Sequence, residues 1–202
     1  MNLASESLRK SLHLLLIAVP LTYYFLGKWP TLAILAPVAL ITVTLDHLRQ
    51  SKPKLNEFFI KILGPVLRKH ELDGKKLCGA SWVAMGAFVN FLLFKEVIAV
   101  TAFTILVVSD CLAALVGKAI VSKPFFEKSV AGSAAFAVSG LVVLIICGSI
   151  FGARPWFYIF GLFALFCVTM IEARPSLFNI DDNFAIPISF SLVMSFFDII
   201  WN

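Results

Sequence analysis

The sequence predicts an all-α membrane protein. It reads as a polytopic helical bundle of about seven transmembrane spans plus one interfacial amphipathic helix, a single domain over residues 1–202. Two observations carry this prediction. The composition is 60% hydrophobic and 14% charged, where an average soluble domain is about 25% charged, and the mean hydropathy is +0.94. The apolar residues also gather into long unbroken runs, each near the roughly 20 residues that cross a bilayer as a helix. A transmembrane β-barrel would instead alternate apolar and polar residues over short segments. A soluble domain with so little polar surface would not stay dispersed. Neither disorder nor a nucleic-acid partner suits this composition.

The first span is expected over Leu12–Leu26, behind Arg9 and Lys10. That start mimics a signal peptide, but no small-residue cleavage site precedes the next span, so it reads as an uncleaved helix. The second span is expected over Pro30–Leu45. The stretch Asp46–Lys76 is charged. Within it, Leu55–Leu67 has an apolar face but is too short to cross; it is expected to lie in the interface with Phe58, Phe59, Ile62 and Leu63 toward lipid. Spans three and four follow over Leu77–Phe94 and Val97–Gly117. A loop, Lys118–Lys128, leads to span five, Val130–Phe151, and then span six, Pro155–Ile171. The polar stretch Glu172–Asn183 precedes span seven, Phe184–Ile200. Cys78, Cys111, Cys147 and Cys167 sit in apolar context without paired spacing. They read as small buried residues rather than metal ligands or a disulfide framework.

With the N-terminus inside, all of the 17 Lys and Arg residues except Lys28, Lys95 and Arg154 fall on the cytoplasmic side. The positive-inside rule then places the N-terminus in the cytoplasm and the C-terminus across the membrane.

Polar residues gather at the same side, and ionisable groups inside spans are expensive enough to mark function. Arg9 and His13, four apart, share one helical face. Asp110 lies about two turns inside span four, beside Ser109, with Ala114 and Gly117 on its face. Lys118 stands at the mouth. Lys128, Ser129, Gly132 and Ser133 open span five, Glu172 closes span six, and Asp181, Asp182 and Asn183 precede span seven. The carboxylates of Asp110, Glu172 and Asp182 are hard oxygen donors of the kind Mg²⁺ takes. Arg9, Lys10, Lys118 and Lys128 suit phosphate groups. Gly117, Gly132 and Ser133 would let backbone come close to a ligand, and the start of span five offers N–H groups to an anion. Such a set favours a nucleotide–Mg²⁺ site at the cytoplasmic face. Phosphoryl transfer needs mainly positioning and charge neutralisation.

The order of these pieces is similar to a known family. The chain reads Glu6…Arg9-Lys10…His13, then Gly79-Ala80-Ser81, then Asp110…Ala113…Gly117-Lys118, then Lys128-Ser129…Gly132-Ser133, and last Glu172…Asp182-Asn183…Pro187. This resembles the dolichol kinase, phytol kinase and CTP-dependent diacylglycerol kinase family over nearly the whole chain. The resemblance implies transfer of the terminal phosphate of CTP, or ATP, with Mg²⁺, onto a membrane lipid alcohol. That alcohol would be an isoprenoid such as phytol or a polyprenol, or diacylglycerol. It implies Asp110 as catalytic acid or metal ligand, with Arg9 and His13 at the phosphates or the substrate hydroxyl. It implies Gly117, Lys118, Lys128, Ser129, Gly132 and Ser133 as the phosphate cradle, and Glu172, Asp182 and Asn183 as metal or base-recognition groups. Two positions depart from the family pattern: Ala131 stands where the KSxEGS form has an acid, and Trp82 where a tyrosine is usual.

Two other classes make different demands. A phosphatidate cytidylyltransferase carries a Pro-Gly-His-Gly stretch and a paired Asp after its Lys-Asp, and nothing of that form occurs in this sequence. A small transporter would gather polar groups near mid-membrane on broken helices, whereas Pro20 and Pro37 interrupt spans without polar company. The expected partners are a lipid alcohol, a nucleoside triphosphate and the bilayer.

Overall fold

Apolar runs in a bilayer fold as helices because no backbone N–H or C=O can be left unpaired in hydrocarbon. The computed structural model describes residues 3–68, 71–74, 76–178 and 180–201, with side chains for all of these but 3–7, 177, 178 and 201. Lys69 and Lys75, two of the loop charges counted above, and the Glu6 side chain lie outside the described residues. The helices are α1 (Leu3–Leu15), α2 (Ala18–Leu26), α3 (Lys28–Ser51), α4 (Pro53–Leu63), α5 (Gly79–Leu93), α6 (Glu96–Ala119), α7 (Val130–Ile150), α8 (Pro155–Ala173) and α9 (Asp182–Trp201). Five of them, α3, α6, α7, α8 and α9, are long and apolar enough to cross a membrane. The chain is an all-α integral membrane protein.

The first expected span is not one helix. Pro20 has no N–H to give Leu16, and its ring crowds that carbonyl. The chain answers with three-residue bonds, Leu16 N–H to the His13 carbonyl (3.0 Å) and Val19 N–H to the Leu16 carbonyl (2.9 Å). The helix breaks there into α1 and α2. Pro37, by contrast, is absorbed inside an unbroken α3. The expected third span is also short, since α5 has 15 residues. The amphipathic helix ends at Leu63, where Gly64 and Pro65 tighten the chain into a 3-10 turn (Gly64–Val66). Phe58 and Ile62 are exposed on α4 as expected, but Phe59 turns inward, over Arg49.

The central pillar is α6. Of its apolar window 72% is buried, against 28–39% for the other four long helices. It touches α1, α2, α5, α7 and α9. Phe91, Phe103, Phe136, Leu144 and Phe190 fill the core around it. Small residues set the close approach of α7 and α8, as in many membrane bundles. A Cβ on Gly140 would stand 2.4 Å from Leu165, and one on Gly161 would stand 2.5 Å from Leu144. Phe25, Trp29, Leu40 and Ile199 face outward, where the bilayer is their solvent. Between α6 and α7 the chain makes a small hairpin, β1 (Pro124–Phe125) against β2 (Lys128–Ser129). Glu127 at its tip bonds the Ala173 carbonyl through its N–H (3.0 Å) and Ser176 through its side chain. The hairpin is thus tied to the end of α8, and Lys128 is fixed with it.

Candidate functional site

A sealed polar network first sets the geometry of the end where α3 finishes and α5 begins. Asp46 and Arg49 pair three residues apart on α3, and both side chains are fully buried. Arg49 donates through Nε to Asp46. It also donates through Nη1 to Asn56 Oδ1 (3.0 Å) and the Glu71 carbonyl (2.9 Å), and through Nη2 to the Lys76 carbonyl (3.1 Å). The Phe59 ring lies 4.7 Å from the guanidinium carbon. The second Asp46 oxygen accepts the Cys78 N–H (2.6 Å), and Glu71 accepts the N–H groups of Gly79 (2.8 Å) and Arg68 (2.6 Å). Two carboxylates thereby cap the N-terminus of α5, where unpaired N–H groups and the helix dipole favour them. The loop between α4 and α5 is pinned, and Arg68 with it.

From that loop Arg68 reaches across to the start of α9. It donates to Asp181 (2.5 Å) and to Asp182 (3.2 Å). Burial works against the Arg68 charge, but Asp182 and Asp181 outweigh it and hold the guanidinium above its ordinary pKa. Burial, with Asp182 beside it, pushes the Asp181 carboxyl up to about 6 despite Arg68. Asp181 also accepts from the Asn183 side chain (2.7 Å) and so shapes the first turn of α9.

The second cluster joins α1 to α6. Lys10 Nζ sits 2.5 Å from Asp110 Oδ2 and 3.3 Å from the Asp110 carbonyl. His13, one turn on, places Nε2 3.8 Å from the same carboxylate oxygen and 3.4 Å from the Leu106 carbonyl. Cys111 Sγ donates to the Lys10 carbonyl at 3.5 Å. Three polar ties thus dock α1 on the pillar helix, with Asp110 at their centre.

Two cavities meet at this cluster, and Arg9, Lys10, Arg68 and Asp110 line both. The larger, about 930 Å³, is a polar chamber whose wall also includes Lys76, Trp82, Lys128, Asp181 and Asp182. The smaller, about 300 Å³, is a mostly apolar cleft walled by Leu12, Leu16, Leu63, Val66, Leu67 and Val83. His13 and Asn183 stand on its polar end.

The residues nominated from sequence divide accordingly. Arg9, Lys10, Asp110, Lys128 and Asp182 face the chamber, while His13 and Asn183 face the cleft. Glu172 stands behind Lys128, which lies 3.2 Å from it, and Ser133 donates to its other oxygen at 3.4 Å. Burial works against the Lys128 charge, but Glu172, with Asp182 and Asp110, holds it above its ordinary pKa. Ser129 caps α7, its Oγ accepting the Gly132 N–H at 3.2 Å. Gly117 and Gly132 face each other where α6 crosses α7: a Cβ on Gly117 would stand 3.3 Å from the Gly132 Cα, and one on Gly132 would stand 3.1 Å from the Ala113 carbonyl. Lys118 is exposed beyond that crossing. Asp110, Glu172 and Asp182 do not form a cage. Among the described residues no three acidic, His or Cys side chains stand close enough together to hold a metal ion.

Arg68 and Lys76 were not singled out from sequence, and Trp82 and Asp181 were noted without a role, yet all four form part of the chamber wall. Lys76 and Arg68 belong to a stretch that reads as ordinary loop charge. The one available signal was Asp46, an acid at the end of an apolar run with Arg49 three residues on, which marks that loop as tied inward.

The polar chamber and the mostly apolar cleft thus share one buried ion pair, Lys10–Asp110. The chain is 32% identical over 193 residues to the uncharacterized protein RP860 of Rickettsia prowazekii, spanning 95% of this chain and 94% of that one, and it belongs to the same family. It is also similar, at 27% identity over 176 residues, to CTP-dependent diacylglycerol kinase 1 of Saccharomyces cerevisiae. That match takes in 77% of this chain and 60% of the kinase. No protein-family model and no solved structure matches the chain.

Proposed function

We propose that the protein is a lipid kinase that moves the terminal phosphate of a nucleoside triphosphate, CTP in preference to ATP, onto a membrane lipid alcohol at the cytoplasmic face. The observation that carries this reading is the position of Asp110, on the shared wall of a polar chamber and an apolar cleft. The similarity to the yeast CTP-dependent kinase supports it. In this reading the triphosphate lies in the chamber, against Arg9, Lys10, Arg68 and Lys128. Cations converging on phosphate oxygens neutralise the charge that otherwise repels the incoming oxygen.

Asp110 accepts the proton of the lipid hydroxyl as its oxygen attacks the terminal phosphorus. The new P–O bond forms as the bond to the β-phosphate oxygen breaks, and the nucleoside diphosphate leaves with that electron pair. Lys10 and His13 orient the carboxylate. Mg²⁺ bound to a nucleotide needs one or two carboxylates besides phosphate oxygens, and Asp182 on the chamber wall would supply one. When bound it would neutralise phosphate charge.

The test uses the purified protein in phosphatidylcholine nanodiscs with Mg²⁺ and CTP or ATP labelled in the terminal phosphate. Label is expected in an organic-soluble lipid phosphate, and Asp110→Asn is expected to lower the rate by about 10²–10⁴-fold. Pyrophosphate release with phosphatidate, and no labelled lipid, would move the assignment to a cytidylyltransferase.

A further inference from the structure

We propose that the β1–β2 hairpin is a membrane anchor: its tip inserts the Phe126 ring into the phospholipid interface at the chamber end of the bundle, with Lys123 against headgroup phosphates. The inference rests on the fold alone and stands whatever the chamber binds. The strand register pairs Pro124 with Ser129 and Phe125 with Lys128, so Phe126 and Glu127 form a two-residue turn. Such turns demand a positive φ at the first central residue, which glycine, asparagine and aspartate accept most easily. Phe126 takes it, at φ 53°, and among the described residues no other non-glycine residue does so. A bulky side chain is strained there. Its ring recovers little from the protein. It meets the neighbouring Phe125 edge-on, with centroids 4.9 Å apart, and Phe126 is still 60% exposed. A local rule broken without a gain inside the protein points to a partner outside it.

The bilayer is the partner within reach. The tip does not stand out into water, because the Glu127 N–H bonds the carbonyl of Ala173 (3.0 Å), the last residue of α8. The 19 residues of α8 measure about 28 Å at 1.5 Å per residue, against a hydrocarbon core of about 30 Å. A helix that only just spans ends at the interface, and the hairpin tip is bonded to that end. The rest of the connection is apolar outside as well. Ile120 and Val121 before the hairpin and Val130 after it are exposed, following exposed Leu112 and Leu115 on α6. Residues 118–126 hold two lysines, Lys118 and Lys123, both exposed, and no acid. Phenylalanine and aliphatic side chains interleaved with lysine make a segment that lies in the interface, rings among the upper acyl groups and ammonium groups among phosphates. Since Phe125 pairs with Lys128, an anchored tip also holds Lys128 at the chamber wall.

The test puts a nitroxide spin label on Phe126→Cys in the full chain, in phosphatidylcholine nanodiscs. A Cys167→Ser background leaves only the buried Cys78, Cys111 and Cys147 as other thiols. Collision with oxygen, which concentrates in lipid, is compared with collision with a water-soluble nickel chelate. Labels on Val138→Cys, at an exposed position of α7, and on Asp73→Cys, at an exposed position of the loop between α4 and α5, are the lipid and water references. The label at position 126 is expected to favour oxygen, as the one at 138 does. A preference for nickel, as at position 73, overturns the anchor. Low access to both reagents overturns it too, since another protein chain would then cover the tip. Phe126→Gly suits the turn and removes only the ring. In that variant a label on Val121→Cys is expected to gain nickel access, and an unchanged label at 121 overturns the ring as the anchor. Lys123→Gln is expected to shift the label at 121 the same way by a smaller amount, and no shift removes Lys123 from the contact.

Discussion

The Asp46–Arg49 pair and the Lys10–Asp110 pair are both carboxylate–cation contacts buried at the polar end of the bundle. Their surroundings differ. Around Arg49 the guanidinium donors end on protein oxygens, and both Asp46 oxygens are taken as well. Around Asp110 the ion pair borders two cavities. The contrast teaches that a buried charge in a membrane protein is not by itself a mark of chemistry. A charge whose hydrogen bonds close within the protein holds the fold, whereas one that borders open space has capacity left for a ligand.

Four substitutions sharpen or break this contrast. Arg49→Met leaves Asp46 buried without its cation and is expected to cost about 3–5 kcal/mol of stability, read from denaturant unfolding in detergent micelles. Adding Asp46→Asn is expected to recover part of that loss through their coupling; strict additivity would show that the network is not a unit. Asp110→Asn keeps an acceptor for Lys10 and is expected to cost less, about 1.5–3 kcal/mol, while removing nearly all phosphate transfer. A larger stability loss than for Arg49→Met would reverse the comparison. Ser129→Ala removes a helix cap and is expected to cost about 1 kcal/mol with the KM for CTP unchanged. A raised KM with unchanged stability would return Ser129 to the phosphate cradle that the sequence pattern implies.

The helices were legible because a bilayer leaves an apolar run little choice of structure. The exceptions were local. Pro20 broke the first span through the Leu16 carbonyl, and Gly64-Pro65 ended α4 early. At the candidate site, Asp110, Lys10, Arg9, Lys128 and Asp182 were visible as polar residues at helix ends, and they do face one chamber. What sequence could not separate was wall from scaffold. Gly117, Gly132 and Ser129 have the composition of a phosphate loop, and they stand against one another and the Ala113 carbonyl where α6 crosses α7. Arg68 was missed for the opposite reason. Its partner Asp181 is 113 residues away, and no local spacing encodes a contact of that range.

That separation along the chain also sets an order of assembly. Lys10 emerges from the ribosome 100 residues before Asp110, an interval on the order of ten seconds at ordinary rates of synthesis. For that time the ammonium of the first helix has no carboxylate from the pillar. The chamber then stays incomplete until Asp181 and Asp182 follow, so a nascent chain stalled before its last helix carries the charges of the site without its enclosure. The enclosure of the chamber, by this geometry, is a property acquired only when α9 joins the bundle.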